Sequence, residues 1–200
     1  MKVLIACEFS GIVREAFKKL GHDAWSCDLL PTEIPGQHIQ DDVLKHLDEG
    51  WDLMIAHPPC THLAVSGAVW FPKKRKEQAE ALEFVRKLMD ASIEKICIEN
   101  PVSIISTRIK KPTQIIQPYM FGDEVQKTTC LWLKNLPNLK PTKIVGKGKF
   151  ITFKSGKKMS EWTANKWGKG HERSRTFQGI ADAMAEQWGE AELKKLEGKT

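Results

Sequence analysis

The chain lacks any hydrophobic run long enough to cross a membrane, although 41% of its 200 residues are hydrophobic. A bilayer-spanning helix needs about 20 consecutive apolar residues, and no run in the sequence approaches that length. Met1-Lys2 leads straight into the first predicted strand rather than into a signal sequence. We therefore expect a cytoplasmic protein, with one domain built on a single substantial core.

The chain lacks any paired cysteine motif, which argues against two kinds of site. The five cysteines are odd in number and form no Cys-x-x-Cys pair, which argues against a disulfide framework and against a structural zinc site. We expect no metal. Four of them (Cys7, Cys27, Cys97 and Cys130) lie within or beside apolar strands, where cysteine packs as a small hydrophobe. Cys60 differs because it lies in a polar loop.

The net charge of +6 is unevenly distributed along the chain. Residues 140–175 hold eleven Lys or Arg against two acids, so this segment is net +9 and the remainder is net −3. Four aromatic side chains are interleaved with these cations: Phe150, Phe153, Trp162 and Trp167. This mixture is typical of surfaces that bind a phosphate backbone and unstacked bases. A solvated basic surface is nearly as good an interpretation from charge alone.

Alternating strands and helices predict an α/β fold with a doubly wound, mostly parallel sheet. Apolar runs at 2–8, 22–28, 38–39, 52–56 and 95–100 read as strands, and helical periodicity covers 12–20 and 75–91. Two late runs, 128–133 and 149–154, predict an antiparallel edge pair. We expect a short basic recognition region at about 135–175 and a C-terminal helix at about 177–196 that packs back on the core.

Acidic side chains follow each of the first three predicted strands. Glu8 ends the first, Asp28 ends the second, and Asp41 and Asp42 follow the third. The carboxyl ends of parallel strands line one crevice, where an acid can accept hydrogen bonds from a ribose. The Phe9-Ser10-Gly11 turn also brings backbone close to this crevice, with Ser10 as the expected N-cap of the first helix. The set predicts a nucleoside-containing cofactor.

Cys60 and Glu99 follow the fourth and fifth strands, which we expect to be neighbours. Two prolines precede Cys60 and force a rigid extended loop, because proline cannot continue a ladder or a helix interior. Glu99 ends an apolar strand, where a carboxylate is costly to bury without a partner. His57 and His62 flank the cysteine; they either lower its pKa or cap the loop, and we favour capping.

These motifs, in this order, resemble the cytosine C5 DNA methyltransferases. The resemblance rests on the Phe9 turn, the acids Asp28 and Asp41-Asp42, Pro58-Pro59-Cys60, and Glu99-Asn100-Pro101. Further along, residues 121–126 are similar to the glycine and glutamine element of the family, and residues 179–184 to its C-terminal helix. The whole pattern most resembles the short methylases of phages and prophages, which act in the bacterial cytoplasm. It implies a Rossmann-like methyltransferase fold.

The resemblance also implies a reaction and roles for individual residues. Cys60 would add to C6 of cytosine in DNA, Glu99 would bind the ring N3 and the amine, and S-adenosylmethionine would donate the methyl group. The cofactor would contact Glu8, Phe9, Ser10, Gly11, Asp28, Asp41, Asp42 and Pro58. The substrate would contact Gln126, Lys127, Arg173 and Arg175.

Departures from the family pattern keep three alternatives open. Thr61 stands where the family usually has glutamine, and Lys127-Thr-Thr-Cys130 lacks the expected arginines. The same chemistry on RNA or on a pyrimidine nucleotide is one alternative. A catalytically silent nucleic-acid-binding protein of the same fold is the second. The third, a thiol hydrolase using Cys60 and His62, leaves Glu99 and the three acids without a role.

Overall fold

A seven-stranded sheet forms the centre of the molecule in a computed structural model that describes residues 1–156, 158–165 and 169–189. The strand order across the sheet is β3-β2-β1-β4-β5-β7-β6. In chain order these strands are β1 (Lys2–Ala6), β2 (Asp23–Asp28), β3 (His38–Gln40), β4 (Leu53–Ala56), β5 (Lys95–Pro101), β6 (Gln114–Ile116) and β7 (Thr129–Lys134).

The first five strands are parallel, as the sequence predicts. β1 pairs with β2 on one side and with β4 on the other, so the strand order reverses at this point. Ligands of open α/β sheets bind beyond the carboxyl ends of the strands at such a reversal. The turns after β1 and β4 are therefore placed where a ligand site is expected.

The antiparallel part of the sheet differs from the prediction in two ways. β7 runs antiparallel to β5 but is second from the edge, because the short β6 pairs outside it. The run at 149–154 does not pair with β7; its strand β8 (Phe150–Thr152) forms a separate hairpin with β9 (Lys158–Ser160). β6 and β9 have three residues each, which is too short for a period-2 pattern to be recognised.

Helices cover both faces of the sheet. They are α1 (Ile12–Lys19), α2 (Arg75–Met89), α3 (Ile105–Arg108), α4 (Glu161–Asn165), α5 (Gly170–Ser174) and α6 (Gln178–Met184), with 3-10 helices at Val43–Lys45, Val65–Lys73 and Pro118–Met120. α1 and α6 pack on the face that holds Val3 and Ile5, and α2 and α3 on the face that holds Leu4 and Ala6. This division follows from the alternation of side chains along β1.

The C-terminal part of the described chain packs against α1. α6 continues as a π-helical turn, Ala185–Gly189, and both bury apolar side chains against the sheet. Residues 190–196 of the helix expected at 177–196, and Trp167 of the basic segment, lie outside the described residues. In the described ranges we find no helix with both the length and the hydropathy needed to cross a bilayer.

Gly179 provides a test of this packing. A Cβ atom at this position would overlap the carbonyl oxygen of Phe121, so α6 must move to accept any larger residue. We expect Gly179→Ala to lower the free energy of unfolding by about 1–3 kcal/mol, measured by urea denaturation. Gly146→Ala is the control, because nothing lies within 4 Å of its added Cβ. Equal stability of the two variants would contradict the packing.

Candidate active site

Three strand ends bring the candidate residues together. Glu8 follows β1, Cys60 follows β4, and Glu99 lies near the end of β5, on adjacent parallel strands. Two cavities lie at this edge of the sheet. The one we call the Cys60 cavity has a volume of about 270 Å³, and the one we call the Phe9 cavity has about 430 Å³. His57, Pro59, Cys60 and Thr61 line both of them.

A buried amide clamps the loop that carries Cys60. Asn100 Nδ2 donates a hydrogen bond of 2.8 Å to the Pro58 carbonyl, and Asn100 is 1% exposed. On the other side of the loop, the backbone carbonyl of Cys60 accepts from the amides of Leu63 and Ala64 at 3.0 and 2.9 Å. Since Pro58 and Pro59 have fixed φ angles, the loop has little freedom left. Cys60 is held exposed at the rim.

His57 contacts the carboxylate of Glu99. Its Nδ1 atom lies 3.1 Å from Glu99 Oε2, and both side chains are largely buried. Burial opposes ionisation of Glu99, but the hydrogen bond from His57, helped by the charges of His57 and Lys127, sets the pKa of Glu99 below its ordinary value. His57 Nε2 is buried without a hydrogen-bond partner in the described structure. Among the described residues, the hydrogen-bond partner of the His57 ring is thus Glu99, and the ring does not cap the loop as expected.

Two nearby cations oppose the rise in the pKa of the Cys60 thiol. Partial burial and the negative charge of Glu99 raise the pKa of the Cys60 thiol, while Lys127 and Arg173 act in the opposite direction. Lys127 and Arg173 both line the Cys60 cavity, and Lys127 Nζ donates a 3.0 Å hydrogen bond to the Arg173 carbonyl. The net effect is that the pKa of the Cys60 thiol lies above its ordinary value, which disfavours the thiolate in the free protein.

The predicted cofactor residues divide into two groups. Glu8, Phe9, Ser10 and Asp28 line the Phe9 cavity. The other group does not line it: Gly11, Asp41, Asp42 and Pro58. Asp28 accepts the Leu30 amide at 2.9 Å through Oδ1, and its Oδ2 atom has no partner within the described residues. Asp28 is therefore the acid best placed to accept hydrogen bonds from a ligand hydroxyl.

Glu8 holds the start of α1. Its carboxylate accepts the amides of Val13 and Arg14 at 2.7 and 3.3 Å and the Ser10 hydroxyl at 3.2 Å. Burial raises the pKa of Glu8, against the lowering effect of His57 and these donors. The expectation that Ser10 is the N-cap is wrong: Gly11 occupies that position with φ of 75°, and Glu8 supplies the acceptors. Glu8 has its oxygens engaged within the protein.

Local contacts also engage Asp41 and Asp42. Hydrogen bonds from Lys45, the Asp42 amide and His46 lower the pKa of Asp41 to about 2. Asp42 accepts the Leu44 amide at 3.0 Å and caps the 3-10 helix that follows. Neither carboxylate faces the Phe9 cavity.

Residues 169–177, which we call the closing segment, cover the Phe9 cavity. The His171 ring stacks on Phe9 with 4.3 Å between ring centroids. Glu33 accepts hydrogen bonds from Arg175 at 2.8 and 2.6 Å and lies 2.8 Å from His171 Nε2. Hydrogen bonding with Arg175 contributes most to lowering the pKa of Glu33. Arg175 thus forms an ion pair instead of presenting its guanidinium to the Cys60 cavity.

Two further candidate residues from the sequence, Gln126 and His62, are not placed to contact a ligand in either cavity. Gln126 lines neither cavity, and His62 Nδ1 is buried without a partner among the described residues. Sequence reasoning missed two contacts, the Asn100 clamp and the His171 stack. The sequence shows Asn100 directly after Glu99, but it does not show that Asn100 binds the Pro58 carbonyl. His171 carries no sequence signal, because it lies more than 160 positions from Phe9 in the basic segment.

The electrostatics predict how Cys60 reacts with iodoacetamide. Alkylation should accelerate only at pH values above the ordinary range for a thiol, because burial and Glu99 disfavour the thiolate. Glu99→Gln should make the reaction severalfold faster at pH 8, and Lys127→Met severalfold slower. Peptide mass spectrometry identifies the modified cysteine, since Cys7 is also partly accessible. Identical rates in all three proteins would show that neither charge acts on Cys60.

Comparisons with known proteins give little beyond the fold. No protein-family model matches the chain, and no curated protein matches it. Among solved structures, it is similar to a protein proposed to be a DNA modification methyltransferase encoded within a prophage in E. coli, with 14% sequence identity and a TM-score of 0.47. The match covers 72% of this chain and 51% of that protein, so the chain spans about half of its length. A likeness this slight assigns no activity.

Proposed function

We propose that this chain is an S-adenosylmethionine-dependent DNA methyltransferase that acts on C5 of cytosine through a covalent adduct with Cys60. One observation carries the proposal. Cys60 stands at the junction of two cavities, and Glu99 lines one while Phe9 and Asp28 line the other. C5 of cytosine is a poor nucleophile, so its methylation through a covalent adduct calls for a nucleophile between a base site and a donor site.

The Phe9 cavity fits the donor in size and chemistry. Its volume of about 430 Å³ lies in the range of small-molecule sites. Asp28 has an oxygen free to accept from ribose hydroxyls, and Phe9 offers a ring face that His171 now covers. When bound there, S-adenosylmethionine supplies the electrophilic methyl group that C5 takes up. Asp28 orients the donor, and the closing segment excludes water from it.

Cys60 and Glu99 divide the activation of the base. The Cys60 thiolate forms a bond to C6, and the electron pair of the C5–C6 double bond makes C5 nucleophilic. Glu99 accepts from the exocyclic amine and, with a proton shared with His57, stabilises charge at N3. After C5 is methylated, a water molecule takes up the C5 proton, and the electron pair of that C–H bond restores the double bond and expels the thiolate. Lys127 and Arg173 favour the thiolate at both ends of this cycle.

A nucleic acid is the substrate that best explains the positive charge of the basic segment at 140–175 and of the Cys60 cavity. Lys127 and Arg173 line the Cys60 cavity, and two half-exposed rings, Phe150 and Phe153, lie on and just after the β8 strand of the small hairpin. In duplex DNA the target cytosine must first leave the stack, at a cost of a few kcal/mol. The surrounding cations offset part of that cost through phosphate contacts.

Transfer of labelled methyl from S-adenosylmethionine tests the proposed function. We expect incorporation into cytosine-containing DNA, none with Cys60→Ser, and near-normal incorporation with the buried-thiol control Cys130→Ala. DNA with 5-fluorocytosine should trap a covalent complex that requires Cys60, because fluorine cannot leave as a proton does. Parallel reactions with RNA and with deoxycytidine monophosphate identify the substrate. Retained transfer by Cys60→Ser would remove Cys60 from the mechanism.

His57 should act through Glu99 rather than on the base directly. We expect His57→Ala to lower kcat by about 10²-fold or more, with little change in KM, because Glu99 loses its proton-sharing partner. His57→Asn should restore part of kcat, since its amide nitrogen can replace Nδ1. Without His57 the pKa of Glu99 rises. The limb of the pH profile of kcat that reflects ionisation of Glu99 should therefore move to higher pH. Equal loss in both variants, with an unshifted limb, would indicate a structural role only.

A further inference from the structure

A groove of about 690 Å³ lies on the α2 and α3 face of the molecule, outside both cavities of the candidate active site. Phe71 and Leu82 contribute apolar surface to it, and Arg75 and Arg108 stand at its rim, both exposed. Gln78 also lines the groove, and its Nε2 donor is buried without an acceptor among the described residues. The groove therefore offers cationic and amide donors beside apolar surface.

The chain segment that contributes Phe71, Pro72 and Arg75 to the groove also holds further cations and an exposed aromatic ring. Residues 73–76 are four consecutive cations. Lys76 lies 3.9 Å from Glu80, and in the described parts of the chain no carboxylate pairs with the other three or with Arg108. Trp70 is 57% exposed in the preceding 3-10 helix. Cations interleaved with an exposed ring suit a strand with phosphates and stackable bases.

Backbone pairing joins this groove to the Cys60 loop. The Val65 amide donates to the Val102 carbonyl at 3.0 Å, which fixes the start of the 3-10 helix against the chain that leads into α3. Gly67 lines the Cys60 cavity, and the next residue, Ala68, lines the groove. Because consecutive Cα atoms are about 3.8 Å apart, the two sites are neighbours. A linear polymer with one monomer bound at Cys60 can therefore place its neighbouring monomers in the groove.

We infer that this groove binds the single-stranded part of a nucleic acid that flanks the base held at Cys60. The inference rests on the proposed function for the identity of that base. Arg75 and Arg108 bind phosphates, Gln78 donates to a base edge, and Trp70 stacks on a neighbouring base. The substrate is then a polynucleotide rather than a free nucleotide, and the binding surface extends onto the face of the sheet opposite α1.

Binding of a labelled cytosine-free DNA strand, followed by fluorescence anisotropy, tests the groove apart from catalysis. The full chain carries Cys60→Ser, so that no adduct forms. We expect Arg75→Ala with Arg108→Ala to weaken binding about tenfold at low salt. The slope of log affinity against log salt should become shallower by about 0.7 for each phosphate that the variant no longer neutralises. The side chains of Arg75 and Arg108, and of Trp70, which is changed in a separate variant, are exposed. The thermal unfolding temperature of each variant should therefore be unchanged.

A matched control separates the groove from general electrostatics. Lys18→Ala with Lys19→Ala removes the same charge from exposed positions on α1, on the opposite face of the sheet. This control should bind almost as the parent does. Equal weakening by both pairs, or no weakening by the arginine pair, would overturn the inference. So would failure of the parent to bind the strand, and the methyl-transfer reaction would still judge the proposed function separately.

Trp70 tests the stacking part. Trp70→Ala should weaken binding about fivefold or more on a strand with bases, because base stacking on an aromatic ring is removed. An abasic strand of the same length should bind the parent and Trp70→Ala proteins equally. Equal affinity of the parent and Trp70→Ala proteins for the strand with bases would overturn this part. Weaker binding of the abasic strand by Trp70→Ala would also overturn it, because Trp70 would then support the fold of the rim.

Discussion

One buried hydrogen bond, from the Asn100 amide to the Pro58 carbonyl, holds the two halves of the candidate active site together. It joins the loop that carries Cys60 to the strand that carries Glu99, across neighbouring parallel strands. A proline carbonyl in this position has no ladder partner, and an unpaired buried carbonyl is costly. The sequence places an asparagine directly after the carboxylate, so the residue that pairs with the loop also fixes the spacing of the reactive groups.

The buried charges form a line across the same three strands. Glu8 after β1, His57 after β4 and Glu99 on β5 alternate carboxylate, imidazole and carboxylate. Each group is desolvated, and the imidazole is the shared partner that keeps Glu99 ionised while it opposes the raised pKa of Glu8. Because the low dielectric strengthens these interactions, removing the central group deprives Glu99 of its hydrogen bond from a neighbouring side chain and leaves Glu8 with only its local donors. This constraint makes His57 integral to the site.

Strong local patterns made much of this site predictable from the sequence. Five parallel strands, α1, α2 and the placing of Cys60 and Glu99 at strand ends follow from apolar runs that end in Pro, Gly or acidic residues. Contacts between distant segments were not predictable. The pairing of β6 outside β7, the Glu33 ion pair with Arg175, and the Phe9 stack on His171 each depend on how the chain returns over the sheet. A local sequence pattern does not specify which distant segments come into contact.

The closing segment couples the two cavities physically. Gly170 and Ser174 line both of them, so the segment cannot leave one cavity without changing the other. A ligand that stacks on the Phe9 face covered by His171 must displace that ring, which also disturbs the ion pairs around Glu33. These contacts are at the surface, where ion pairs are worth about 1 kcal/mol or less, so ligand binding can offset their disruption. A ligand in the Phe9 cavity thus changes the wall that a base meets beside Cys60.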